Sequence, residues 1–438
     1  MTGTTSVAPA YPRELALLVR QRWAEQAGEA DAELPGPAAL EELLSTCYQA
    51  SLLREEGRPV TFRIVLAEPE CFEALGGSPG GFHRLVLSQF RPFDRHEVRR
   101  LAPAAGFQRS LIGVGLEPDG QFRVWGLVHT GTRWLEAVRG GRRSAQAIRP
   151  LLMVSVTGPG RVLVSRGTAT IAALAGGTLV DDATDVFAAS WLASFFADLY
   201  ADQRARHTAI SVQAAEVSSP IEPVFVEKLV KHVLRRIVAT IRGARHGGTL
   251  VILPERNARR LAADGRYLTL KYPFRDEEPR RRIFSLTVQI MNDLAKLPPP
   301  SGRVAVGWAE YESSGNARLA ALDEALFDVA HLVAMLADVD GAVVMTDRLE
   351  ILGFGAEISG ALPEVATVDR SLDLQGEQRV PERTDGVGTR HRSAYRLCRK
   401  LHDALVVVVS QDGGVRFVRW HDARVTCFDQ VATGPWEV

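Results

Sequence analysis

Apolar side chains recur at three- and four-residue spacing over Arg13–Ala27 and Ala38–Leu53, which predicts two amphipathic helices separated by the loop Leu34-Pro35-Gly36-Pro37. The pattern then changes to short runs of β-branched and aromatic residues. Val60–Leu66, His83–Phe90, Ser110–Leu116, Phe122–His129, Leu151–Val156 and Arg161–Ser165 each read as a strand. Glu117-Pro118-Asp119-Gly120 and Thr157-Gly158-Pro159-Gly160 supply turns between them. Helical spacing returns over Asp185–Arg206, where Trp191, Phe195, Phe196 and Tyr200 form an aromatic stripe expected to pack between two halves of the chain. These elements predict an α+β domain over residues 1–210.

Residues 220–438 alternate helix and strand. Pro223–Arg242 carries Val226, Leu229, Val230, Val233, Leu234 and Ile237 on one face. Ile283–Leu297 and Asn316–Leu336 are further helices, and Tyr267–Tyr272 is a short strand. Ala342–Met345 follows Asp340-Gly341 as a buried strand and is expected to form a hairpin with Leu349–Phe354. Thr389 reads as the N-cap of a helix over Ser393–Leu401, ahead of the strongly apolar strand Leu405–Val409. Asp412-Gly413-Gly414 then turns the chain into Val415–Val418. The expectation is an α/β domain with a mixed sheet. Residues 355–387, with Pro363, Pro381 and several charges, read as a loop insertion.

Composition narrows the function classes. Lys plus Arg and Asp plus Glu both number 52, so no global charge favours nucleic acid or an anionic membrane. Cys47, Cys71, Cys398 and Cys427 have no paired spacing and read as free thiols in a reducing compartment. The ten histidines show no metal-ligand spacing. No signal peptide and no run near the roughly 20 apolar residues of a membrane span is evident, so a cytoplasmic protein is expected.

The candidate chemistry lies in three stretches. Asp340-Gly341-Ala342 places a carboxylate at a strand start. Gly388-Thr389-Arg390-His391-Arg392-Ser393 places a basic cluster at a helix start, where backbone N–H groups already favour an anion. Ser410 places a hydroxyl at a strand end. Each piece alone is common as a turn, a solvated helix face or a strand-end hydroxyl; their conjunction and order point to a nucleotide site. A fainter internal echo is visible. Gly141-Arg142-Arg143-Ser144-Ala145, then the Leu151 strand and a glycine turn, parallels Arg390–Ala394, the Leu405 strand and its turn. It would fit a duplication whose first copy lost the acid.

The two motifs and the strand ending in Ser410 resemble the diadenylate cyclase family, over roughly residues 220–438, and Ile237–Pro254, with Arg245–Ile252 within it, is similar to that family's first helix and strand. The amino-terminal half loosely resembles the sensor-type domains that precede soluble cyclase domains. The resemblance implies condensation of two ATP into the second messenger cyclic di-AMP with release of pyrophosphate. It implies Asp340, Arg390, His391 and Arg392 as catalytic residues, and Gly341, Ala342, Gly388, Thr389, Ser393 and Ser410 around the nucleotide. Magnesium or manganese would be held by Asp340 and by Asp412. It further implies a homodimer or higher homo-oligomer with opposed sites, because each ATP must present its 3′-hydroxyl to the other. No DNA-binding module and no membrane anchor are expected. The alternative from a different class is an inactive module that senses ATP or a cyclic dinucleotide.

Overall fold

A computed structural model describes residues 9–26, 34–72, 82–107, 109–129, 150–167, 169–180, 185–214, 219–275 and 280–430. The chain packs into two compact units that divide at residues 183/184. The division falls before the 210–220 boundary read from the sequence, because the segment after residue 184 buries its aromatic residues in the second unit's core.

In the first unit, helices α1 (Pro12–Gln26) and α2 (Pro37–Ser51) precede a two-stranded ribbon, β1 (Arg54–Glu55) and β2 (Arg58–Pro59). The main sheet is built from β3 (Phe62–Leu66), β4 (His83–Pro92), β5 (Ser110–Leu116), β6 (Phe122–His129), β7 (Leu152–Gly158), β8 (Arg161–Arg166), β9 (Ala169–Ala175) and β10 (Thr178–Val180). Helix α3 (Arg95–Leu101) lies between β4 and β5 and is capped by Asp94. The strand order is β10-β9-β8-β7-β3-β5-β6-β4, with β3 and β5 parallel. Leu15 and Val19 of α1 and Leu40, Leu43 and Leu44 of α2 share a core with Ile64, Val154 and Val164 of the sheet.

The second unit begins with a short 3-10 turn and two helices, α4 (Ser190–Phe195) and α5 (Ala197–Ala214). The single helix expected over Asp185–Arg206 is thus broken at Phe196. The aromatic stripe packs inward: Phe196, Leu199 and Tyr200 are buried, and the Trp191 ring lies 4.9 Å from Phe428. There follow α6 (Phe225–Ala244), β11 (Gly248–Leu253), α7 (Glu255–Asp264), β12 (Leu268–Pro273), α8 (Arg282–Leu294), α9 (Trp308–Ser313) and α10 (Ala317–Leu336). The rest comprises β13 (Ala342–Thr346), β14 (Ile351–Ile358), β15 (Thr367–Ser371), β16 (Arg379–Arg383), α11 (Thr389–Lys400), β17 (Leu405–Val409), β18 (Val415–His421) and β19 (Arg424–Gln430).

The sheet order is β12-β14-β13-β11-β17-β18-β19-β15-β16, a mixed sheet in which β11 runs parallel to β13. Side chains of β11 alternate between two cores: Leu250 and Ile252 face α6, α8 and α10, whereas Val251 and Leu253 face α7 and α11. Burial on both faces accounts for the uninterrupted apolar run of β17.

The stretch read as a loop insertion contains β15 and β16, which pair as a hairpin and extend the sheet beyond β19. Its charged residues concealed this, since they are paired across strands. Arg424 lies 3.3 Å from Asp369 and Arg416 lies 2.7 Å from Glu382. Pro381 is tolerated because β16 is an edge strand. Asp373 closes the hairpin loop by accepting N–H bonds from Gln375, Gly376, Glu377 and Gln378, which hold its carboxyl below the usual range even as partial burial works the other way.

The two sheets share a plan. Counted in chain order from β3 and from β11, with the edge strand β10 of the first sheet and the β15–β16 hairpin of the second set aside, both read 7-6-5-1-3-4-2. In both, the first and third strands are parallel and the other pairs are antiparallel.

Candidate functional site

Register determines which strand ends meet. Leu250 of β11 lies opposite Val343 of β13 in parallel, and Gly248 lies opposite Val409 of β17 in antiparallel. The starts of β11 and β13 and the end of β17 therefore share one rim of the sheet. Asp340 and Gly341 stand on that rim before Ala342, and Ser410 stands on it after Val409. The two positions flank β11, so their backbones are roughly 10 Å apart at ordinary strand spacing. Asp340 is exposed, and Ala342 is buried as the first residue of β13.

Two glycines make the rim possible. Gly341 has φ +113°, and a Cβ there would lie 2.6 Å from the carbonyl carbon of Gly355 and 2.8 Å from the nitrogen of Ala356. Gly247 has φ +72°, and a Cβ there would lie 2.7 Å from the Arg390 guanidinium and 2.8 Å from the Val409 carbonyl oxygen. Arg390 can cross the start of β11 only because that Cβ is missing, and its Nη1 donates to the His246 carbonyl at 3.2 Å. His246 in turn sits with Nδ1 3.2 Å from Asp338.

Helix α11 delivers the basic cluster. Gly388, not Thr389, is the N-cap: its extended backbone starts the helix without a side-chain cap bond, and Thr389 is the first helical residue. The Arg392 N–H closes the first turn on the Gly388 carbonyl at 3.2 Å. The N–H groups of Thr389, Arg390 and His391 precede the helix's own ladder, as at any helix start. The apolar residues Ala394, Leu397 and Cys398 bury one face of α11 against the sheet and aim this end at the rim. Arg392 lies along a groove of about 600 Å³ bordered by Glu364, Thr384 and Arg396, and Ser393 is partly buried beside it in sequence.

At the opposite corner, Ser410 and Asp412 belong to the turn into β18. The Ser410 N–H donates to the Gly414 carbonyl at 2.8 Å, and the Gly414 N–H donates to Asp412 Oδ1 at 3.2 Å. Asp412 is exposed, and the carboxylate keeps further lone pairs facing solvent.

His391 is half-buried on α11. Burial first, then the charge of Arg416, push its imidazole below the ordinary value, which favours the neutral form near pH 7. Arg416 was not singled out in the sequence. It donates to Asp429 at 2.6 Å, to Glu382 at 2.7 Å and to the Tyr395 hydroxyl at 2.8 Å, tying β18, β19, β16 and α11 together behind the basic cluster. Burial lowers its affinity for a proton, but Asp429 more than offsets this and the guanidinium is held firmly charged.

Sequence reasoning also missed the β12 flank. Tyr272, 52% exposed, stacks on Phe354 at 4.8 Å between ring centres. Lys271 pairs with Glu357 at 2.6 Å, which raises its pKa, and Asp340 adds to that shift, so the Asp340 carboxylate lies within electrostatic reach of β12. The alternation in Leu268–Tyr272 was legible; that β12 borders β14 beside the rim was not. Arg280 lies away from the rim: it pairs with Glu350, next to the β13–β14 turn at the other end of the sheet.

Among the described residues no group of three or more His, Cys, Asp or Glu side chains could hold a metal ion. No helix among them is long and apolar enough to cross a membrane. Cys47, Cys71, Cys398 and Cys427 are all free thiols, and burial pushes Cys427 up to about 12.

Residues 29–129 match the family described as the probable sensor domain DACNV, which supports a sensor domain in the amino-terminal unit. No curated protein matches the chain.

Proposed function

We propose that the second unit is a diadenylate cyclase domain that condenses two ATP into cyclic di-AMP and two pyrophosphates, behind an amino-terminal sensor domain. The observation that carries this reading is the convergence of Asp340, Arg390, Ser410 and Asp412, far apart in the chain, on one sheet rim beside the start of α11. In each of two equivalent steps, the 3′-hydroxyl of one ATP forms a bond to the α-phosphorus of the other. The bond to pyrophosphate breaks, its electron pair leaves on the pyrophosphate, and the hydroxyl proton passes to solvent. Such transfers rest on positioning and electrostatic stabilisation. Asp340 orients and polarises the 3′-hydroxyl. Arg390, Arg392 and the first N–H groups of α11 bind the phosphates, and Ser410 adds a hydroxyl contact. Gly341 lets the nucleotide approach the backbone.

The donor set does not make a closed metal cage. In this reading a magnesium or manganese ion would come with the nucleotide's phosphates, and Asp340 and Asp412 are the carboxylates proposed to hold it, since magnesium commonly takes one or two carboxylates plus phosphate oxygens. Bound there, the ion would neutralise phosphate charge.

Incubating the full chain with ATP and Mn²⁺ and resolving the products by chromatography tests the reaction. Cyclic di-AMP is the expected product; saturable ATP binding with no cyclic product would instead make this unit a sensing module. One rim holds one ATP in reacting geometry, so two chains must meet with their Asp340 rims opposed. Specific activity should therefore fall on dilution below the dimer dissociation constant. Activity that stays constant where light scattering detects monomer alone would exclude the two-chain mechanism. Replacing Arg390 and Arg392 together with Ala should weaken ATP binding by roughly 1.5–3 kcal/mol per arginine. An unchanged ATP dissociation constant in a normally folded variant would return both arginines to a solvated helix face.

A further inference from the structure

The shared 7-6-5-1-3-4-2 plan can be refined to single residues. Ile64 of β3 lies opposite Ile112 and Val154, and Leu250 of β11 lies opposite Val343 and Val407. Setting Ile64 on Leu250 therefore lays β5 on β13 and β7 on β17. Three independent features agree with this overlay. Val156 pairs with Val162 and Val409 with Val415, so five residues, 157–161 and 410–414, separate the paired valines in each unit, although in the first unit Gly158 and Arg161 extend the ladder by one irregular pair. Gly160 then falls on Gly413, and both have positive φ, +65° and +83°. The helix preceding the first strand touches that same glycine in each unit: the Gly160 N–H donates to Ser51 Oγ at the end of α2, and Arg242 of α6 lies beside Gly413. The sequence echo at Gly141–Ala145 lies outside the described residues.

In this overlay Ser110 takes the place of Gly341, Arg109 that of Asp340, Thr157 that of Ser410 and Pro159 that of Asp412. The first unit's rim has thus exchanged both carboxylates, one for a cation and one for a proline, while keeping the hydroxyl. Its other strand ends are neutral or basic: Ser110 Oγ contacts His129 Nδ1 at 3.2 Å, His83 lies opposite His129, and Arg161 opens β8. No acidic residue occupies a described strand end on this rim of the first sheet.

We propose that the amino-terminal unit is a second copy of the cyclase-type fold whose rim binds a nucleoside polyphosphate without a divalent cation. This rests on the nucleotide-site reading of the second unit. A rim with Asp340 and Asp412 needs a cation between its carboxylates and a polyphosphate, because like charges repel. A rim with Arg109 and Arg161 attracts the same anion directly. Lacking the acid that polarises the 3′-hydroxyl, it holds the nucleotide unreacted, as a sensor must.

The test is equilibrium dialysis of the full chain against labelled ATP in excess EDTA, with the second unit disabled by Asp340→Asn, Arg390→Ala and Arg392→Ala. The disabled chain is expected to bind ATP saturably near one equivalent per chain, and added Mg²⁺ should not tighten it. A further Arg109→Glu change should weaken that binding by at least about tenfold, as loss of a charge-assisted phosphate contact does. Arg109→Gln, which introduces no new charge, should weaken it in the same direction if the glutamate variant fails to fold. Absence of saturable binding in EDTA, or binding that folded Arg109 variants leave unchanged, overturns the proposal. The two readings fail separately. Metal-free ATP binding that persists in a chain making no cyclic di-AMP would sink the cyclase reading alone, whereas an active chain without it would sink this one.

Discussion

Asp340→Asn is expected to reduce cyclic di-AMP formation at least about a hundredfold, the lower range for loss of an acid/base or charge-stabilising group. Asp340 is exposed, two residues before β13 begins, so the change should leave the fold intact. Asparagine keeps the shape and hydrogen-bonding capacity but not the charge that polarises a hydroxyl or completes a metal's shell. Lys271 retains Glu357 at 2.6 Å, so the β12 flank keeps its own ion pair. Turnover within a few-fold of the parent chain, at equal thermal stability, would remove Asp340 from the reaction. Mixing the Asp340→Asn chain into active protein should also depress activity more than dilution alone, because mixed dimers carry a defective rim.

Arg416→Ala is expected to cost roughly 3 kcal/mol of stability, near the low end for breaking a buried ion pair by removing one partner. The guanidinium holds Asp429, Glu382 and the Tyr395 hydroxyl at once, and its loss leaves two partly buried carboxylates facing each other. Because Glu382 belongs to β16, the hairpin should loosen from the sheet first. Limited proteolysis should then cut between Leu372 and Gln378, ahead of global unfolding. Arg416→Lys should recover only part of the loss, since an ammonium cannot reach three acceptors with a planar fork. A denaturation midpoint unchanged in the alanine variant would show that the acids pair elsewhere.

How much of this was legible beforehand depended on how local the physics was. Hydrophobic periodicity located α1, α2, α6, α8 and α10 and most central strands, because burial of one helix face or both strand faces writes itself into consecutive residues. The Asp-Gly-Ala and Gly-Thr-Arg-His-Arg stretches marked the candidate site, because a positive-φ glycine and a helix start are short-range requirements. Legibility ended where neighbours are distant in sequence. The β15–β16 hairpin reads as a polar loop because its strands are stabilised by cross-strand charges rather than an apolar stripe. Arg416 is one arginine among many until β16, β19 and α11 surround it.

The sequence by itself therefore determined most element types, the existence of two halves though not their boundary, and the chemical groups on offer. Only tertiary structure decided that Asp340, Arg390, Ser410 and Asp412 share one rim, and that Gly247 exists to let Arg390 over β11. It also decided that seven strands of each half follow one order. The reason is physical: strand register and sheet order are set by long-range pairing, and no window of consecutive residues contains both partners.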